Sequence, residues 1–96
     1  MSDSQICRKM VIVNERGLHA RAAAKFVSTV EQFNAEVHVS CNGERVNAHS
    51  IMELLMLACH KGKTILIEAE GEDAELALVA LTSLVENGFG EINEKT

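Results

Sequence analysis

Ala35-Glu36-Val37-His38-Val39-Ser40-Cys41-Asn42-Gly43-Glu44-Arg45-Val46-Asn47-Ala48 is the stretch that decides the layout of this chain. Ala35, Val37, Val39 and Cys41 alternate with Glu36, His38 and Ser40, the period of a strand with one buried face. Asn42-Gly43 follows, a dipeptide that suits a two-residue turn with positive φ. A second strand, about Glu44 to Ala48, then runs back. Two strands joined by two residues must be antiparallel, so the middle of the fold is a hairpin.

The elements on either side follow by period. Before the hairpin, Ala23, Phe26, Val27, Val30 and Phe33 recur at helical spacing, which predicts a helix over about Ala20 to Phe33. A first strand precedes it, about Ile6 to Asn14. After the hairpin, Ser50-Ile51-Met52-Glu53 fits a capping box. It opens a short apolar helix from Ile51 to Ala58 that Gly62 should stop. Thr64 to Glu70 reads as a fourth strand with Ile65, Ile67 and Ala69 on one face. Asp73 is placed to cap a third helix, Ala74 to Glu86, whose apolar stripe is Ala74, Ala77, Leu78, Leu81, Leu84 and Val85. Asn87-Gly88 ends that helix, and the tail after about residue 89 is expected to fray.

The order is β-α-β-β-α-β-α. With a central hairpin, the simplest packing is an α+β fold: a four-stranded, largely antiparallel sheet with three helices on one face. Ninety-six residues suit one domain, 1–96. Three Phe and no Trp or Tyr require an aliphatic core.

Composition narrows the function. A net charge of −5 argues against nucleic acid. No apolar run approaches membrane-spanning length, and Met1-Ser2-Asp3-Ser4 does not resemble a signal peptide. Cys7, Cys41 and Cys59 are widely spaced and odd in number, which favours reduced cytosolic thiols. The spacings of His38, His49, His60 and the cysteines match no zinc pattern, so neither a metal nor a cofactor is expected.

Gly17-Leu18-His19-Ala20-Arg21 lies where the first strand hands over to the first helix. No Ser, Thr, Asp or Asn stands at 18–20 to cap the helix. Its first-turn N–H groups, at Ala20, Arg21 and Ala22, are therefore open to an anion. A cation in the first turn opposes the helix dipole, so Arg21 there also suits an anion nearby. On these grounds alone, a histidine at such a turn is more often an ordinary surface residue. The arrangement nevertheless suits a phosphoryl group carried on His19, because imidazole is a nucleophile that is uncharged near pH 7. Arg16, Arg21 and Lys25 form a basic rim around it on an otherwise acidic chain, suited to an acidic protein partner.

Gly17-Leu18-His19-Ala20-Arg21 resembles the active-site motif of the HPr phosphocarriers of the bacterial phosphoenolpyruvate-dependent phosphotransferase system, and Ser50-Ile51-Met52 resembles the segment around that family's regulatory serine. The resemblance runs from the first strand through the third helix. It implies an open-faced β-sandwich and a carrier that takes phosphate from phospho-Enzyme I on Nδ1 of His19 and passes it to IIA domains. It implies that Arg21 helps hold the phosphate and that Ile51, Met52 and Leu55 dock partners, to which the basic rim adds Arg16 and Lys25. A cytoplasmic monomer is the expected form. The chain departs from the family at two positions. Ala22 stands where proline is common, which adds an N–H and removes rigidity. Glu53 stands where serine-regulated members usually have glycine. A phosphate placed on Ser50 by a serine kinase would lose the cap and meet this carboxylate. The Leu54–Leu57 run and Lys61-Gly62-Lys63 look closer to the nitrogen-related branch, NPr. The competing reading is a non-enzymatic regulatory module that binds partners without covalent chemistry.

Overall fold

The structure is a computed structural model that describes residues 5–91. The elements are β1 (Ile6–Val11), α1 (Ala20–Val30), β2 (Glu36–Cys41), β3 (Glu44–Asn47), α2 (Ile51–Met56), β4 (Thr64–Glu70) and α3 (Ala74–Glu86), followed by a single 3-10 turn over Gly88–Gly90. The strands form one sheet in the order β1-β4-β2-β3, with every neighbouring pair antiparallel. The expected β-α-β-β-α-β-α order and the antiparallel four-stranded sheet are both present. Asn42 and Gly43 both have positive φ, at 57° and 83°, as the hairpin turn requires.

Alternation puts one face of the sheet under the helices. Val37, Val39 and Cys41 of β2 and Ile65, Ile67 and Ala69 of β4 are buried there, against Phe26, Val30, Leu54 and Leu81. The opposite face carries Glu36, His38, Ser40 and Glu68, and an Arg45–Glu68 ion pair crosses it. The core is largely aliphatic; Phe26 and Phe89 are fully buried in it, and Cys41 and Cys59 belong to it as well.

Several element ends differ from the sequence reading. β1 stops at Val11 rather than Asn14. Ile12 still pairs, donating to Lys63 O and accepting from Gly62 N, and Asn14 turns inward. α1 ends at Val30 because the N–H groups of Gln32 and Phe33 bond three residues back, tightening the exit into a turn. α2 ends at Met56, well before Gly62. Ala58 adopts a left-handed φ of 51°, and the Asn42 amide donates to Leu57 O (3.0 Å) and Ala58 O (3.3 Å), satisfying the carbonyls at the helix end.

Two caps also work differently. The Ser50 hydroxyl accepts from Glu53 N–H (3.2 Å) as expected, but Glu53 reaches past Ser50 to accept from Asn47 N–H (3.1 Å). Asp73 makes no cap bond to α3. Its carboxylate accepts from Asn34 N–H (2.7 Å), tying the start of α3 to the α1–β2 link.

The cysteine reading is overturned. Cys41 and Cys59 form a disulfide, with Cα atoms 6.1 Å apart, while Cys7 is free and exposed. The pair lies 18 positions apart in sequence, but the end of β2 and the segment after α2 converge. Wide spacing along a chain does not limit closeness in the fold.

Of the tail expected to fray after about residue 89, the structure describes the chain as far as Glu91. Positive φ at Gly88, Phe89 and Gly90 folds the chain back on itself, Phe89 is buried, and Lys25 Nζ donates to Phe89 O (2.7 Å). Burial of Phe89 anchors this turn to the core. Residues 92–96 lie outside the described residues.

Candidate functional site

The residues around His19 are positioned by tight backbone contacts. Gly17 has φ 66°, and a Cβ at that position would lie 2.7 Å from Cys59 O and 2.9 Å from His60 Cα. Only glycine allows this approach. Leu18 N–H then donates to Cys59 O (3.0 Å), and the buried Leu18 side chain anchors the loop. His19 takes the N-cap position of α1 in an extended conformation, with no side-chain cap bond. Ala23 N–H is the first to close on a helical carbonyl, that of His19 (2.8 Å). The N–H groups of Ala20, Arg21 and Ala22 therefore have no partner to find within α1. The first turn contains no acidic residue.

Two residues complete the site that the sequence reading did not include. The Glu91 carboxylate meets His19 Nε2 through Oε2. Its other oxygen, Oε1, accepts from Asn14 Nδ2 (2.9 Å), and the same amide nitrogen donates to Gly17 O (2.8 Å). Asn14 is 1% exposed, so this buried amide holds both the loop before His19 and the carboxylate beside it. Burial by itself raises the Glu91 pKa. The hydrogen bonds from Asn14 and His19, with the charges of His19 and Arg16, outweigh it and hold the carboxyl below its ordinary value. Glu91 is thus ionised near neutrality. A carboxylate only accepts hydrogen bonds, so Nε2 is the nitrogen that donates to it, and in the neutral form of the ring the lone pair is on Nδ1.

One signal pointed to this arrangement. Gly88-Phe89-Gly90 places one of only three aromatic residues between two glycines, beyond the last helical stripe. A large apolar side chain there needs a buried place, and burying it brings Glu91 inward. Asn14 carried no comparable signal, because asparagine at a strand end reads as turn chemistry.

The remaining candidates fall into place as follows. Arg21 and Arg16 are exposed, and Arg16 is near enough to act on Glu91. Lys25 is half-buried and bonded to Phe89 O, which makes it an anchor of the C-terminal turn. Ala22 points its methyl into the core. α1 and α2 pack together. Ile51 (39%) and Met52 (67%) are exposed on α2, as is Met56 (72%), which the sequence reading left out. Leu55 is half-buried against the core and Leu54 fully so. Ser50 is engaged as the cap of α2.

Comparison with known proteins bears on the family and the fold. The family described as "PTS HPr component phosphorylation site" matches residues 6–87. The chain is 51% identical over 80 residues to the phosphocarrier protein HPr of Neisseria meningitidis serogroup A, covering 83% of this chain and 90% of that protein. It superposes on the crystal structure of HPr-C-His from Thermoanaerobacter tengcongensis with a TM-score of 0.85 at 40% identity, covering 88% of this chain and 96% of that one. A crystal structure of an HPr dimer from the same organism matches with a TM-score of 0.71 at 42% identity, covering 84% and 93% of the two chains.

Proposed function

This chain belongs to the HPr family of phosphotransferase-system phosphocarriers, and from that premise we propose that His19 is the residue that carries the phosphoryl group. In this reading Nδ1 attacks phosphorus in phospho-Enzyme I. The N–P bond forms as the bond to the donor breaks, and a IIA-type protein then takes the group by the reverse step. The observation that carries the proposal is the Glu91 carboxylate on Nε2, itself held by Asn14. It presents Nδ1 as the nucleophilic nitrogen and offsets the positive charge that the ring gains once Nδ1 is phosphorylated.

The phosphoryl group would rest against the open N–H groups of Ala20, Arg21 and Ala22 and the Arg21 guanidinium. The protein's own contribution is positioning and charge stabilisation, with the rest supplied by the partner. It acts as a carrier that is consumed and regenerated, not as a catalyst that turns over alone. Residues 1–96 are read as one domain.

Ile51, Met52 and Leu55, with Arg16, form the docking surface in this reading, extended by Met56; Lys25 contributes by anchoring the C-terminal turn. The partners are Enzyme I and IIA-type acceptors of sugar transport or nitrogen-related regulation, in the cytoplasm. We read the carrier as a monomer; each copy contains its own His19, Glu91 and Asn14. A kinase acting on Ser50 would have to break its bond to Glu53 N–H and place a phosphate beside the Glu53 carboxylate, so Ser50 serves first as a cap.

Incubation with phosphoenolpyruvate and Enzyme I should add one acid-labile phosphate to the wild type and none to His19→Ala. An undiminished signal in that variant refutes the assignment. A panel of IIA proteins then identifies the acceptor. The family match leaves a purely non-covalent regulatory module without support.

A further inference from the structure

The phosphoryl transfer makes no use of the disulfide, yet the disulfide adjoins the site. Cys41 closes β2 and Cys59 follows α2, and both are buried. Cys59 O accepts the N–H of Leu18, the residue before His19, at 3.0 Å, and the same oxygen is the atom that a side chain on Gly17 would strike. One backbone hydrogen bond therefore separates the cross-linked residue from the His19 loop.

The cross-link also closes the segment that contains β3 and α2. α2 has six residues, too few to be stable unaided, so its order depends on the burial of Leu54 and the Ser50 cap and also on what pins its C-terminal end. Two devices do so: the disulfide, and the Asn42 amide on the carbonyls of Leu57 and Ala58. Only the first depends on oxidation state.

We propose that Cys41 and Cys59 are a reversible dithiol–disulfide couple, whose oxidised form locks the Leu57–His60 segment against the Gly17–Arg21 loop and whose reduction slows phosphoryl transfer through His19. The inference rests on the phosphocarrier reading above. In the reducing compartment where such a relay works, a disulfide is characteristically transient and regulatory rather than a permanent staple.

Oxidation joins the two sulfurs as the thiols lose two protons and two electrons. The electrons go to a low-molecular-weight disulfide such as oxidised glutathione, which leaves as two thiols. Reduction runs the exchange backwards with a dithiol. Access to the buried sulfurs requires local opening around the short α2, while Asn42 keeps the opened segment near its place.

The test compares the full-length protein oxidised with glutathione disulfide and reduced with dithiothreitol. Phosphorylation by limiting Enzyme I is followed alongside amide NMR spectra. The expected result is a folded protein in both states, a severalfold slower rate on reduction, and shifted Leu18 and His19 amides. Cys41→Ala/Cys59→Ala should behave as the reduced form and ignore the reductant, whereas Cys7→Ala should keep the response. Equal rates in the two states, or a response that survives in the double variant, overturn the proposal. The wild type supplies both states, so a misfolded variant does not remove the comparison. Should His19 take up no phosphate at all, the carrier reading fails by itself. The coupling is then judged on the amides: unchanged Leu18–Arg21 signals overturn it, and shifted ones support it.

Discussion

Glu91 places its carboxylate on the imidazole Nε2 of His19 across 72 positions of sequence. The contact joins the start of the first helix to the turn beyond the last one. It gives the ring a defined tautomer and couples the nucleophile to the packing of the C-terminal turn. A charge-assisted hydrogen bond in a partly exposed pair is worth ~1–2 kcal/mol. Glu91→Ala should therefore slow phosphorylation of His19 about tenfold. Glu91→Gln, which can still accept at its carbonyl oxygen, should lose less. Rates measured with Enzyme I in excess decide this, and a wild-type rate in Glu91→Ala would show that the contact does not position the ring.

The same carboxyl sets an acid limit. Its native pKa lies below the ordinary 4.5, so the native state holds the Glu91 proton less tightly than the unfolded chain does. The resulting stability is complete above the ordinary value and is lost as pH falls through the lower native value. An NMR titration of the Glu91 side chain should show a midpoint below 4.5. Asn14→Ala removes one of the hydrogen bonds that lower it and should move the midpoint up. A wild-type midpoint at or above the ordinary value contradicts the geometry.

Phe89 and Lys25 hold the turn that delivers Glu91. Phe89→Ala empties a fully buried site and should cost roughly 3–5 kcal/mol in urea unfolding. Lys25→Met keeps most of the side chain's bulk and loses the bond to Phe89 O, for ~1 kcal/mol. Both should slow phosphoryl transfer by freeing Glu91, although neither touches His19. If Lys25→Met leaves the Glu91 titration and the transfer rate unchanged, the turn is held by packing alone.

Gly17 and Gly43 form a matched pair of left-handed glycines. A Cβ at Gly43 meets nothing within 4 Å, whereas one at Gly17 strikes Cys59 O and His60 Cα. Gly43→Ala should cost only the conformational term, about 1–2 kcal/mol. Gly17→Ala adds a backbone clash and should cost more in thermal unfolding, while shifting the Leu18 and His19 amides. Equal losses at the two positions would mean that the 59–60 segment yields freely to the His19 loop.

The regular elements were legible because each rests on local chemistry. The alternation from Ala35 to Cys41, the Asn42-Gly43 turn and the stripe from Ala74 to Val85 are periods that burial of one face imposes on neighbouring residues. Ser50 and Glu53 are three apart, so their cap bond could be read directly. The ends of α1 and α2 were not legible, because long-range contacts decide them. Asn42 terminates α2 from fifteen and sixteen residues away, and Asp73 serves Asn34 in place of its own helix.

By itself, the sequence determined the strand and helix order, the antiparallel sheet and a histidine at an uncapped helix start, since periodicity, turns and caps act over a few residues. Tertiary structure alone decided that Glu91 and Asn14 join His19, that Cys41 meets Cys59, and that Lys25 faces inward to Phe89. Each of these pairs is brought together by burial of apolar surface elsewhere, above all Phe89 and the inner face of the sheet. The separation of two residues along the chain carries no record of such a meeting.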